Sequence, residues 1–199
     1  MEEHPVQDMM RLMASRVRSM AGSISDEEVE RLLREILAAK RVYVMGAGRS
    51  GLVARAFAMR LMHLGLTSYV IGETVTPALD RGDLVVVFSG SGETRSIADI
   101  AESAQRIGVR LCLITAKRDS RIARTADCRV VIETRGDATG DGNAEFEIRQ
   151  MMGRHKSFAP LGTLFETVSV IFADAVISRL MEIKEINVDA LKGRHVNIE

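Results

Sequence analysis

Apolar residues recur along this chain with two different periods, and the switch between them outlines the architecture. Over the first 40 residues the period is helical. Val6, Met9, Met10, Met13, Val17 and Met20 fall on one stripe, and Val29, Leu32, Leu33, Ile36 and Leu37 on another. Ala21-Gly22 separates the two, and Ser25-Asp26-Glu27-Glu28 reads as a capping box opening the second helix. The Met-rich stripe fits either a core face or a subunit contact, because the body that follows closes without it. From Arg41 onward, near-continuous apolar runs at 41–45, 68–71, 84–88, 110–115 and 128–132 read as strands. Helical stretches at 50–64, 94–107 and 119–125 lie between them. This alternation predicts an α/β fold: a five-stranded parallel sheet with helices on both faces, doubly wound in the flavodoxin-like order 2-1-3-4-5.

A long helix from about Pro160 to Lys184 follows, with Pro favoured in its first turn. Thr163, Glu166, Thr167, Asp174 and Ser178 form its polar stripe, opposite Leu161, Leu164, Val168, Phe172 and Ala175. Before it, residues 136–158 break the rhythm with a polar, turn-rich run and then a basic one. They read as a surface loop or as a lid over the strand ends. Asp137, Thr139, Asp141 and Gly142 imitate the start of an EF-hand loop, but Ile148 stands where the bidentate Glu belongs. No calcium site is expected there.

Composition narrows the picture. The chain's 199 residues suit one domain, 1–199, with a real core. Lys plus Arg equals Asp plus Glu at 27 each, with no long charge block, so neither nucleic acid nor a membrane surface is an expected partner. The absence of an apolar run of about 20 residues, and of a secretory signal, points to the cytoplasm. Cys112 and Cys128 lie in strand patterns without metal-ligand spacing, and read as buried free thiols.

The candidate chemistry sits in two loops. Gly46-Ala47-Gly48-Arg49-Ser50-Gly51 follows the first strand, and Ser89-Gly90-Ser91-Gly92-Glu93-Thr94 follows the third. Both lead into helices, whose unpaired N–H groups and dipole favour an anion. In the 2-1-3 order these strands are neighbours, so the loops meet at the carboxyl edge of the sheet. Hydroxyls at Ser50, Ser89, Ser91 and Thr94 then suit a phosphorylated ligand gripped from two sides; turn-making and N-capping are the plainer role of the same residues. Gly46, Gly48 and Gly51, with Glu73 past the second strand, also satisfy a dinucleotide fingerprint. A second hydroxyl-rich anion nest, and too little chain for a substrate domain, weigh against that alternative.

These loops resemble the sugar isomerase (SIS) domain. Val44 to Val53, Met59 to Gly65, Gly72-Glu73-Thr74, Pro160 to Glu166 and the terminal Arg194-His195-Val196-Asn197-Ile198-Glu199 are similar, more narrowly, to the 6-phospho-3-hexuloisomerase family. The resemblance implies interconversion of D-arabino-3-hexulose 6-phosphate and D-fructose 6-phosphate. It further implies no metal, no organic cofactor, a homotetramer, and functional pairing with a 3-hexulose-6-phosphate synthase. Moving a carbonyl from C3 to C2 needs a base, best supplied by a carboxylate raised towards neutrality by partial burial. The resemblance assigns that role to Glu166. It gives His195 to ring opening or carbonyl polarisation, in its own or a neighbouring subunit's site. Gly48, Arg49, Ser50, Ser89, Gly90, Ser91, Gly92, Glu93 and Thr94 are the expected substrate-binding residues. His63 reads as structural, His155 as a loop residue and His4 as terminal. Two other functions share the loops: a non-catalytic phosphosugar sensor, and an isomerase for another phosphosugar such as arabinose 5-phosphate.

Overall fold

The computed structural model describes residues 5–133 and 164–186. Two helices, α1 (Pro5–Ala21) and α2 (Asp26–Ala38), precede the α/β body. The body runs β1 (Val42–Gly46), α3 (Gly48–His63), β2 (Ser68–Val70), β3 (Leu84–Phe88), α4 (Arg95–Ile107), β4 (Arg110–Thr115), α5 (Arg121–Thr125) and β5 (Cys128–Val131). A long helix, α6 (Leu164–Ile183), follows. The five strands form one parallel sheet in the order β2-β1-β3-β4-β5, as the strand–helix alternation predicts. Among the described residues no helix is long and apolar enough to cross a membrane. The 136–158 segment, its calcium-like run, Pro160 and the terminal tail lie outside the described residues.

Side chains of a strand point alternately to its two faces, so the sheet divides one apolar sequence between two cores. Val42, Val44, Val86, Phe88, Cys112 and Ile114 face α2, α3 and α6. Tyr43, Met45, Val85, Val87, Leu111 and Leu113 face α4 and α5. Helix α4 meets the sheet with Ala98, Ala101 and Ala104, small enough for close packing. Cys112 and Cys128 are register partners on β4 and β5, buried and free, with their sulfurs hydrogen-bonded at 2.7 Å. That hydrogen bond, together with burial, pushes the Cys112 thiol far up and keeps it protonated.

Packing refines the reading of α1, α2 and α6. Ser25 does cap α2, accepting the Glu28 N–H at 3.3 Å. The reciprocal half of the box is missing, because the Glu28 carboxylate accepts the Val131 N–H and an Arg118 N–H, both at 2.9 Å. That clip ties α2 to β5, whose backbone it completes. Among the described side chains of α1 only Met20 is buried; Val6 and Met10 remain 71% and 65% exposed, so most of the Met stripe is not core. Leu37 of α2 is also exposed. In α6, Leu164, Phe165, Val168, Phe172, Val176 and Leu180 form the buried stripe, and Ala175 lies outside it.

The strand starts are tied electrostatically. Arg41 donates to the buried Asp83 carboxylate at 2.9 and 2.6 Å, and the Asp80 N–H adds a third donor at 2.8 Å. Burial by itself would raise the Asp83 carboxyl, but these donors outweigh it and hold the group below its ordinary value. A depressed folded pKa contributes stability above the unfolded value of about 4, and that contribution is lost as pH falls through the folded value. Asp83→Asn is therefore expected to cost about 1–3 kcal/mol at neutral pH, with the deficit shrinking on acidification. Urea unfolding at a pH of about 7 and about 3 checks this; an equal deficit at both would contradict it.

Candidate active site

Strand register brings the two loops together. Gly46 pairs with Phe88 at the carboxyl ends of β1 and β3, so Ala47 and Ser89 leave the sheet side by side. In the first loop, the glycines answer to close packing. A Cβ on Gly46 would lie 2.8 Å from the Ser50 backbone, and one on Gly51 would lie 2.7 Å from the Gly46 carbonyl oxygen. The strand end and the first turn of α3 thus touch backbone to backbone, which accounts for the spacing that imitates a dinucleotide motif. Glu73, the acidic residue of that imitation, is engaged by Arg55 at 2.9 Å. Gly48 and Arg49 are exposed at the mouth, and Arg49 has no hydrogen-bond or ion-pair partner among the described residues.

The second loop is held from beneath. The Ser89 N–H donates to the Ile114 carbonyl at 3.0 Å, and the Gly90 carbonyl accepts from the Ala116 N–H at 3.0 Å. The Ser89 hydroxyl accepts the Gly92 N–H at 3.1 Å, and the Ser91 hydroxyl accepts the Glu93 N–H at 3.2 Å. Both hydroxyls shape the loop as acceptors, which leaves their own protons for another acceptor. Thr94 N-caps α4 without a side-chain cap bond. Its hydroxyl and the first-turn N–H groups of α4 are further donors at the same edge. Glu93 behaves differently: its Oε1 accepts the Arg121 N–H at 2.9 Å, tethering the start of α5.

Helix α6 closes the site. Its first turn lies across both loops, Phe165 packing on Gly90, where an added Cβ would meet the ring at 3.0 Å. Glu166, one residue on, accepts a hydrogen bond at 3.1 Å from the hydroxyl of Ser50. The structure therefore gathers Ser50, Ser89, Gly90 and Glu166 from three elements. His63 is buried in the last turn of α3, in keeping with a structural part. His195, His155 and His4 lie outside the described residues. Among the described residues, no group of three or more His, Cys, Asp or Glu side chains could hold a metal ion.

The SIS-domain family model matches residues 35–147, more than half of the chain. The chain belongs to the SIS family. Several relatives extend the likeness across nearly its whole length. The 3-hexulose-6-phosphate isomerase of Bacillus subtilis is 38% identical over 183 residues, covering 92% of this chain and 93% of its own. The enzyme of the same name from Mycobacterium gastri is 40% identical, covering 94% of this chain and 88% of its own. A crystal structure from Methanococcus jannaschii, described as inferring a 3-hexulose-6-phosphate isomerase function, superposes with a TM-score of 0.76 at 29% identity. It covers 96% of this chain and 99% of that one.

The SIS match takes in both loops and stops short of Glu166. Within this SIS fold, two features of the site join segments distant in sequence. The Ser50–Glu166 bond spans 116 positions, and the Phe165–Gly90 contact joins segments with no shared pattern. The aromatic next to Glu166, in a helix following the loops, was the one available hint of the second.

Proposed function

We propose that this SIS protein is a 6-phospho-3-hexuloisomerase, interconverting D-arabino-3-hexulose 6-phosphate and D-fructose 6-phosphate through a cis-enediol. The observation that carries the proposal is the placement of Glu166 across two adjoining loops, one rich in hydroxyl donors. Ser89, Ser91 and Thr94 hold the phosphate with their hydroxyl protons, helped by the backbone between Gly90 and Gly92 and the α4 N-terminus. Gly48 leaves the mouth open, and Arg49 reaches the sugar hydroxyls or the phosphate. Glu93 supports the loop from its α5 side. Glu166 takes the proton from C2 of the 3-hexulose and returns it to C3 of the enediol, while the hydroxyl proton passes from O2 to O3. His195 assists ring opening or polarises the carbonyl, from its own or a neighbouring subunit.

The assembly is a homotetramer in this proposal. Leu52 and Met59 on α3, with Val170 and Ile171 on α6, are all more than 40% exposed, an apolar face suited to a second copy. The metabolic partner is a 3-hexulose-6-phosphate synthase. One assay tests the activity. The purified chain is given fructose 6-phosphate and that synthase, and release of ribulose 5-phosphate and formaldehyde is followed. Release that depends on this chain is the expected result. Fructose 6-phosphate binding without release would instead make the chain a sensor, and turnover of arabinose 5-phosphate alone would make it a different isomerase.

A further inference from the structure

We infer that Ser50 is a positioning residue for the Glu166 carboxylate and not a phosphate contact, so that the two loops divide the work. The inference rests on the isomerase proposal for the role of Glu166, but its geometric basis is separate. A serine hydroxyl carries a single proton. In the structure that proton is donated to Glu166 Oε1 at 3.1 Å, and Ser50 is only 7% exposed, below the open mouth of the loop.

Ser50 also has little freedom to turn to another task. Its backbone is wedged against Gly46, where no Cβ fits, so the first turn of α3 is locked to the end of β1. Glu166 is restrained from the other side by Phe165, seated on Gly90. Between these fixed points, Ser50 is the one hydrogen-bond donor to the Glu166 side chain among the described residues. Ser50 itself sits in the first turn of α3, so the hydroxyl is carried by the helix end that the β1 loop leads into. The first loop therefore orients the base. The second loop, with the uncommitted protons of Ser89, Ser91 and Thr94, is left to hold the phosphate.

A pair of Ser50 variants tests this in the full-length protein. Ser50→Ala should lower kcat by about 10- to 100-fold, the scale of a mispositioned catalytic group, with the KM for fructose 6-phosphate nearly unchanged. Ser50→Thr, which keeps the hydroxyl, should recover most of the rate. In the Glu166→Gln background, Ser50→Ala should cause no additional loss, because the two residues act as one unit. A raised KM with unchanged kcat in Ser50→Ala would overturn the inference, as would additive losses in the double variant. Calorimetric titration with fructose 6-phosphate separates this from the activity itself. Should the wild type bind without turning over, the isomerase reading fails, and an unchanged Kd in Ser50→Ala still supports a hydroxyl directed away from the phosphate. A weakened Kd would sink that too.

Discussion

Glu166→Gln should reduce kcat by about 10²- to 10⁴-fold, the usual contribution of a positioned general base, while fructose 6-phosphate still binds. The amide is nearly isosteric with the carboxylate but cannot take up a carbon-bound proton. It retains a carbonyl oxygen for the Ser50 hydroxyl, which donates to Oε1 in the wild type at 3.1 Å. The first turn of α6 therefore has no reason to move, and Phe165 keeps its place on Gly90. Two measurements check the assignment: turnover in the coupled synthase assay, and solvent deuterium entering C3 of fructose 6-phosphate. The second isolates proton transfer from any later step. Deuterium exchange at a rate near the wild-type value would remove Glu166 from the role of base.

The second large effect concerns stability and the shape of the phosphate loop. Gly92→Ala should destabilise the protein by about 2–5 kcal/mol, combining left-handed backbone strain, overpacking and a damaged helix cap. Gly92 has φ +64°, a region that L-residues enter at a cost. An added Cβ would also lie 2.0 Å from Ser120 Oγ and 2.6 Å from Ser120 Cβ. Ser120 is buried and cannot simply swing aside, because its hydroxyl caps α5 by accepting the Ala123 N–H at 3.2 Å. The neighbouring Gly92 carbonyl accepts from the Ile122 N–H at 3.0 Å, so distortion spreads directly into α5. Urea unfolding should show the loss, and fructose 6-phosphate affinity should fall with it. Adding Ser120→Gly removes the clash but not the backbone strain, so the double variant should regain only part of the deficit. A loss of less than about 0.5 kcal/mol, the range of an unremarkable surface change, would show that the loop adapts freely.

These two predictions draw on different kinds of information. The Ser89 to Thr94 loop can be located from its composition, since a Gly/Ser run after an apolar strand and before a helix marks the turn that joins them. The need for glycine at position 92 in particular comes from Ser120, on the far side of β4. Glu166 was assigned through the family resemblance, whereas its hydrogen-bond partner was not. Composition groups Ser50 with the other loop hydroxyls, and its hydrogen bond to Glu166 exists only with the helix docked. The Glu28 and Glu93 carboxylates follow the same rule. Each sits in a recognisable local motif and gives one oxygen to a backbone N–H of another element, Val131 in one case and Arg121 in the other.

The order of the sheet, its two covered faces and the meeting of the glycine loops were legible along the chain. Hydrophobic period reports which face of an element is buried, and right-handed crossovers leave few ways to join parallel strands. Which hydroxyl meets which carboxylate was decided by packing. Side-chain partners depend on where α6, α5 and β5 come to rest, and that placement is a global compromise among cores that no single segment encodes. The exposed half of the α1 stripe has the same origin: the periodicity specified an apolar face, and the folded chain covers only its Met20 end.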